Sequence, residues 1–232
     1  MMNVLTIMDF DRQLLLALNG SGSLWLDNMA YILTTATTWI PMYLALMYMV
    51  IKCNDNMRQI VLVVCAAGLC ALLSGSLCDI FVKPTVMRWR PTHDPEIGML
   101  VDVVNGYRGG NYGFFSSHAA NTFSIAILFA LLVRSVALSG TLVFWSLLNC
   151  WTRMYLGVHY PGDILCGLLW GGSVGVGVYL GYVYLNGGNR KTGFRFVSEK
   201  YTSSGYLHAD TDVVILVFIA TLIYATIRSC II

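Results

Sequence analysis

Lys83-Pro-Thr-Val-Met-Arg-Trp-Arg90-Pro91, Phe115-Ser116-Ser117-His118 and Thr152-Arg153-Met-Tyr-Leu-Gly-Val-His159-Tyr-Pro-Gly-Asp163 are three polar islands in an otherwise apolar chain. They hold two of the four histidines and the chain's one Arg-Pro pair, although Asp, Glu, Lys and Arg make up only 11% of the residues. Three cations, two imidazoles, a hydroxyl and a carboxylate form a parts list for breaking a phosphate ester. Cations hold an oxyanion, one imidazole attacks, another protonates the leaving group, and a carboxylate orients the attacker.

The runs between these islands decide the fold class. The chain has 232 residues, 57% of them hydrophobic, and a mean hydropathy of +0.68. That is too apolar for an ordinary soluble domain, and several runs approach the ~20 residues that cross a bilayer. The expected class is all-α: a polytopic bundle of six membrane-spanning helices in a single domain over residues 1–232, preceded by an N-terminal interfacial helix. A formal charge of +2 gives no reason to expect a nucleic-acid partner. Six of the seven cysteines lie in apolar runs, Cys53 lies in a short connector, and none has metal-ligand spacing, so they read as small apolar filler.

Residues 4–18 are interrupted by Asp9, Asp11 and Arg12, which fits a helix lying at the membrane surface better than a span. Residues 1–28 are read as that helix and a turn. No basic segment precedes the run, so it does not read as a cleaved signal. The spans are expected at about 29–51, 60–82, 119–134, 138–153, 161–185 and 213–227. Trp39 suits an interface or a bundle core equally. Asp79, one turn before Lys83, either is solvated or pairs with a cation of the site. Gly167, Gly171 and Gly175 make a small-residue row that lets helices approach closely. Residues 83–118 are too rich in Pro, Gly and aromatics to span, and read as an active-site loop packed over the bilayer surface. Arg88 and Arg108 read as loop cations, His93 and His208 as surface histidines, and Tyr155 and Tyr160 as interface packing.

Six spans place all three islands on one membrane face. Lys52, Arg58, Arg134, Arg190, Lys191, Arg195 and Lys200 fall on the other. With Lys83, Arg90 and Arg153 set aside for chemistry, the positive-inside rule puts the 186–211 loop in the cytoplasm and the site outside it.

Lys83, six residues, then Arg90-Pro91 resembles the first signature of the type 2 phosphatidic acid phosphatase (PAP2) family, whose superfamily also holds vanadium haloperoxidases. Phe115-Ser116-Ser117-His118 resembles the second, usually Pro-Ser-Gly-His, and Thr152-Arg153, five residues, His159, three residues, Asp163 resembles the third. Phe115, Ser117 and Thr152 depart from the usual Pro, Gly and Ser without removing a charged or imidazole group. The resemblance implies that Lys83, Arg90, Ser116 and Arg153 bind the phosphate and that His159 attacks it. It further implies that Asp163 orients His159, that His118 protonates the leaving group, and that no metal or other cofactor is needed. Ser117 brings a side chain to a place where backbone usually approaches phosphate, and is a possible secondary site residue.

The expectation is therefore an integral membrane lipid phosphate phosphatase, in a bacterial inner membrane, with its site on the non-cytoplasmic face. Phosphatidate, phosphatidylglycerophosphate, polyprenyl pyrophosphate and lipid A phosphates are all candidate substrates, and the bilayer itself is the other partner. The alternatives are a lipid phosphotransferase with the same site, and a transporter. Against the transporter, the polar residues gather at one face rather than at the midplane.

Overall fold

In a computed structural model describing residues 4–187 and 199–231, the chain is all α. Among the described residues eight α-helices run in order: α1 (Val4–Leu18), α2 (Leu24–Thr34), α3 (Ile40–Cys53), α4 (Met57–Val86), α5 (Ser117–Val133), α6 (Val136–Tyr155), α7 (Pro161–Leu185) and α8 (His208–Ile231). Among the described residues, α4, α7, α8 and the segment Ala36–Cys53 are long and apolar enough to cross a membrane, and α5 is a shorter apolar helix. Arg190, Lys191 and Arg195, expected in a cytoplasmic loop, lie outside the described residues.

The span expected at 29–51 is instead two helices, broken after Thr34. The reason is local. Three side chains take the carbonyls of the last turn of α2: Thr35 Oγ1 donates to Tyr31, Thr38 Oγ1 to Ile32, and the Trp39 indole to Leu33, at 2.7–2.8 Å. Those carbonyls no longer need helical N–H partners further along the chain. A short 3-10 turn at Ala36–Trp39 follows, and Pro41 sits in the first turn of α3, where its missing N–H costs nothing. The break leaves Thr34 buried. It also turns Trp39 into the core, where its ring lies 5.8 Å from Trp145 and 5.9 Å from Phe218.

Helix α4 begins after Asn56, whose side chain accepts the Arg58 N–H. It widens into π-helical turns at Leu72–Ser76 and Cys78–Val82, and stops at Met87, which takes the left-handed conformation with φ +51°. The helix thus outlasts the expected 60–82 span, and Lys83 stands on its last turn rather than in the loop.

The pair that fixes the site is α5 against α7. A Cβ added to Gly167, Gly171 or Gly175 would lie 2.7, 2.4 and 2.7 Å from the carbonyl oxygens of Ser116, Ala120 and Ser124. Only glycine permits backbone contact that close. The two N-termini are therefore adjacent, and the Ser116 N–H donates to the Asp163 carbonyl at 3.1 Å.

Candidate active site

The end of α4, the start of α5, the end of α6 and the start of α7 converge at one end of the bundle, and each carries part of an expected motif. Lys83 reaches across to α5. Its ammonium donates to Asp79 Oδ1 at 2.5 Å and to Ser117 Oγ at 2.8 Å, while Ser117 donates to the same Asp79 oxygen at 2.6 Å. Asp79 therefore pairs with the site cation, the second of its two expected roles. Ser117, standing where the family usually has glycine, holds that pair in place, and one of the three ammonium N–H groups of Lys83 is left over.

Arg153 is 2% exposed, and its Nη1 donates to Thr34 Oγ1 at 2.6 Å and Tyr107 Oη at 3.2 Å. The break in the first expected span is what brings Thr34 to this guanidinium. The Nε of Arg153 is buried with no hydrogen-bond partner. A buried guanidinium donor of this kind is suited to an anion. Ser116 caps α5 by accepting the Ala119 N–H, a bond that leaves its hydroxyl proton to donate elsewhere.

Arg90 donates from Nε to the Tyr112 carbonyl at 3.1 Å and from Nη1 to the Val158 carbonyl at 3.2 Å. The same Nη1 lies 3.1 Å from Nε2 of His159. A guanidinium can only donate, so Nε2 carries the lone pair and the ring proton is on Nδ1. Nδ1 faces Asp163 Oδ2 at 3.6 Å, close but outside hydrogen-bond range. The expected pairing is thus present in orientation, and a small ring shift would complete it.

His159 is buried in the connector between α6 and α7, and its pKa lies well below the ordinary histidine value. Burial is the main cause, followed by the positive charges of Arg90, Arg153 and Lys83, and then His118. That set also places His118 in the same electrostatic neighbourhood. The imidazole is neutral, as a nucleophile must be. The shift carries a consequence for stability. Below about pH 6.5 an unfolded chain protonates this ring and the folded chain does not, so stability is full above that value and is lost as pH falls. The wild-type thermal midpoint should drop more between about pH 6.5 and 5 than that of His159→Gln. Equal drops in the two proteins would show that His159 is not held neutral.

Residues 87–116, between α4 and α5, close over this end. Trp89 and Tyr112 form an antiparallel bridge, with ring centroids 5.1 Å apart. A Cβ on Gly113 would meet Arg90 Cγ at 3.1 Å, Asp163 Oδ2 at 3.2 Å and His159 Nδ1 at 3.5 Å. Backbone therefore walls the His159–Asp163 pair on that side.

Three participants went unread in the sequence. Arg88 donates from Nη1 to Asp163 Oδ1 and from Nη2 to Asp11 Oδ2, both at 2.6 Å. It is a loop cation as expected, but one paired with the carboxylate beside His159; its place inside the first motif was the available signal. Asp11 itself, on α1, and Tyr160, whose hydroxyl donates to Asp94 at 2.6 Å, carried none. Arg108 stays in the loop, donating to the Thr92 carbonyl at 3.3 Å.

The family model of the PAP2 superfamily matches residues 59–186, which contain all three motifs. Lipid A 4'-phosphatase of Bacteroides thetaiotaomicron is 41% identical over 169 residues, covering 72% of this chain and 74% of that protein. Lipid A 4'-phosphatase of Porphyromonas gingivalis is 34% identical over 180 residues, covering 77% and 75%. Decaprenylphosphoryl-5-phosphoribose phosphatase of Mycobacterium tuberculosis is 32% identical over 109 residues, covering 47% and 55%. No solved structure matches the chain. Apolar helices, three motifs meeting at one end, and these relatives together mean that the chain belongs to the PAP2 superfamily and is a membrane phosphoric ester hydrolase of that kind.

Proposed function

We propose that the protein hydrolyses a phosphate monoester on a membrane lipid through a phosphohistidine at His159, and that a lipid A phosphate is its substrate. The observation that carries the chemistry is the Arg90–His159–Asp163 alignment: a buried neutral imidazole whose Nε2 lone pair faces the cations and whose Nδ1 proton faces a carboxylate. The substrate class rests on the two relatives named lipid A 4'-phosphatases, each aligned over more than two thirds of its length.

In this reading the phosphoryl oxygens displace Arg90 from Nε2 and take hydrogen bonds from Arg90, Arg153, Lys83 and Ser116. Nε2 then forms a bond to phosphorus as the P–O bond to the lipid breaks. Asp163 stabilises the positive charge that develops on the ring. His118 takes up a proton once the bound phosphate offsets the positive charges of the site, gives it to the leaving oxygen, then takes one from the water that attacks the phosphohistidine, releasing phosphate and restoring His159. Protein cations neutralise the phosphoryl charge throughout. The bundle is read as six spans, with α2 and the segment 36–53 together forming the first. The site sits at headgroup level on the non-cytoplasmic face of a bacterial inner membrane, which the distribution of Lys and Arg supports.

Phosphate release from lipid A, phosphatidate, phosphatidylglycerophosphate and polyprenyl pyrophosphate by the purified full chain tests the proposal. Lipid A should be the best substrate, with equal rates in magnesium and in excess EDTA. Release from none of the four, or activity lost on chelation and restored by a divalent ion, would overturn it.

A further inference from the structure

The mechanism above leaves two partly buried charges, Arg88 and Asp11, unused. Asp163 is fully buried, and its two oxygens have different partners. Oδ2 accepts the Tyr160 N–H at 3.1 Å and is the oxygen nearest His159. Oδ1 is held by Arg88 alone at 2.6 Å. Neither Arg90 nor Arg153 bonds this carboxylate, so Arg88 is its counter-ion, and a buried carboxylate without one is costly. Arg88 is in turn fixed on two sides. Its guanidinium lies 4.3 Å over the Tyr160 ring, and its second nitrogen donates to Asp11 Oδ2. The other oxygen of Asp11 accepts the Gly162 N–H at 2.7 Å, in the first turn of α7, one residue before Asp163. The next residue on α1, Arg12, reaches Asp94 at 3.4 Å, and Asp94 accepts the Tyr160 hydroxyl. Two successive residues of α1 therefore clamp both ends of the layer on which Asp163 rests.

We propose that Arg88 and Asp11 are positioning residues for phosphoryl transfer: Asp11 holds the Arg88 guanidinium, and Arg88 holds the Asp163 carboxylate in the orientation that receives the His159 Nδ1 proton. The charges explain why two residues are needed. Arg88 alone against Asp163 would cancel the negative charge that must face the ring as His159 takes on phosphorus. With Asp11 sharing the guanidinium, the three groups sum to one negative charge beside His159. The Tyr160 N–H and the closed wall at Gly113 leave the carboxylate few other ways to turn. Helix α1, expected from its sequence to lie on the membrane surface, becomes part of the catalytic framework.

This inference rests on the proposed role of His159, and the test separates the two. The probe is p-nitrophenyl phosphate in rapid-mixing experiments with the full chain in detergent. Its leaving group needs no proton, so the burst reads the attack by His159 directly. Arg88→Gln and Asp11→Asn should slow the burst, Arg88→Gln by up to about 10²-fold, as misplaced reacting groups do. Arg88→Lys should recover part of the rate. Competitive inhibition by inorganic phosphate should change by no more than about 2-fold, because neither residue is placed to touch phosphate and the loss falls on the transition state. On an Asp163→Asn background, Arg88→Gln should cost almost nothing further, since residues acting as one unit are not additive. Asp11→Asn keeps the side chain's shape and carries the same test if Arg88→Gln does not fold. Wild-type labelling at His159 with an unslowed burst in both variants, or full additivity with Asp163→Asn, would overturn the inference alone. A wild type that never labels at His159 would overturn it together with the reading beneath it.

Discussion

His159→Ala should abolish turnover and the covalent phosphoenzyme together. The imidazole is buried and neutral and presents its Nε2 lone pair to Arg90, which suits it to make the bond to phosphorus. Asp163→Asn should keep substrate binding while slowing attack by up to about 10⁴-fold, because an amide in that position no longer favours the Nδ1–H tautomer or stabilises the ring as it becomes charged. Arg90 still supplies one constraint on the tautomer from the other side, through Nη1 at 3.1 Å, so the loss is expected to be short of total. The measurement is acid-quenched trapping of enzyme after mixing with labelled substrate. A His159→Ala protein that labels normally would assign the bond to another residue and reverse the roles given to the two histidines.

His118→Ala should divide its effect by leaving group. With a lipid phosphate the departing alkoxide needs a proton, and losing the general acid should cost about 10²–10⁴-fold. With p-nitrophenyl phosphate the departing phenolate is stable without one, so the burst that forms the phosphoenzyme should survive. The second half of the cycle still needs a base to activate water, so the phosphoenzyme should accumulate in this variant. That accumulation distinguishes loss of proton transfer from loss of binding, which would lower burst and steady state alike. Equal losses with both substrates would remove His118 from the proton path.

The residues that carry charge into the site were legible because their spacing is a local property of the chain. Lys83 and Arg90, or Arg153, His159 and Asp163, keep their intervals whatever surrounds them. The glycine row on α7 was legible for the same reason, since small residues one helical turn apart share a face. What the sequence concealed depends on partners far along the chain. Arg88 looked like one loop cation among several until Asp163 and Asp11 stood on either side of it. Thr34 and Tyr107 became ligands of Arg153 only once the helix broke at Thr35. That break runs against the apolar count that marks a span, because side-chain hydrogen bonds from Thr35, Thr38 and Trp39 override the hydropathy of the run. The polar residues of 4–18 were read as a reason to lie at the surface. In the structure Asp11 and Arg12 are turned toward the protein, and Leu15 is fully buried among Ile97, Val101 and Tyr160.

The bond from Gly162 to Asp11 spans 151 positions of the chain. During synthesis at about 5–20 residues per second, α1 waits roughly 8–30 s for that partner to emerge. By the end of that interval the Lys83 end of α4 and the His118 end of α5 are already made, yet His159 and Asp163 have only just been added. On the proposed mechanism a nascent chain in the membrane is thus inert toward the lipids around it. On that mechanism competence arrives late, when the start of α7 meets the first helix to be made.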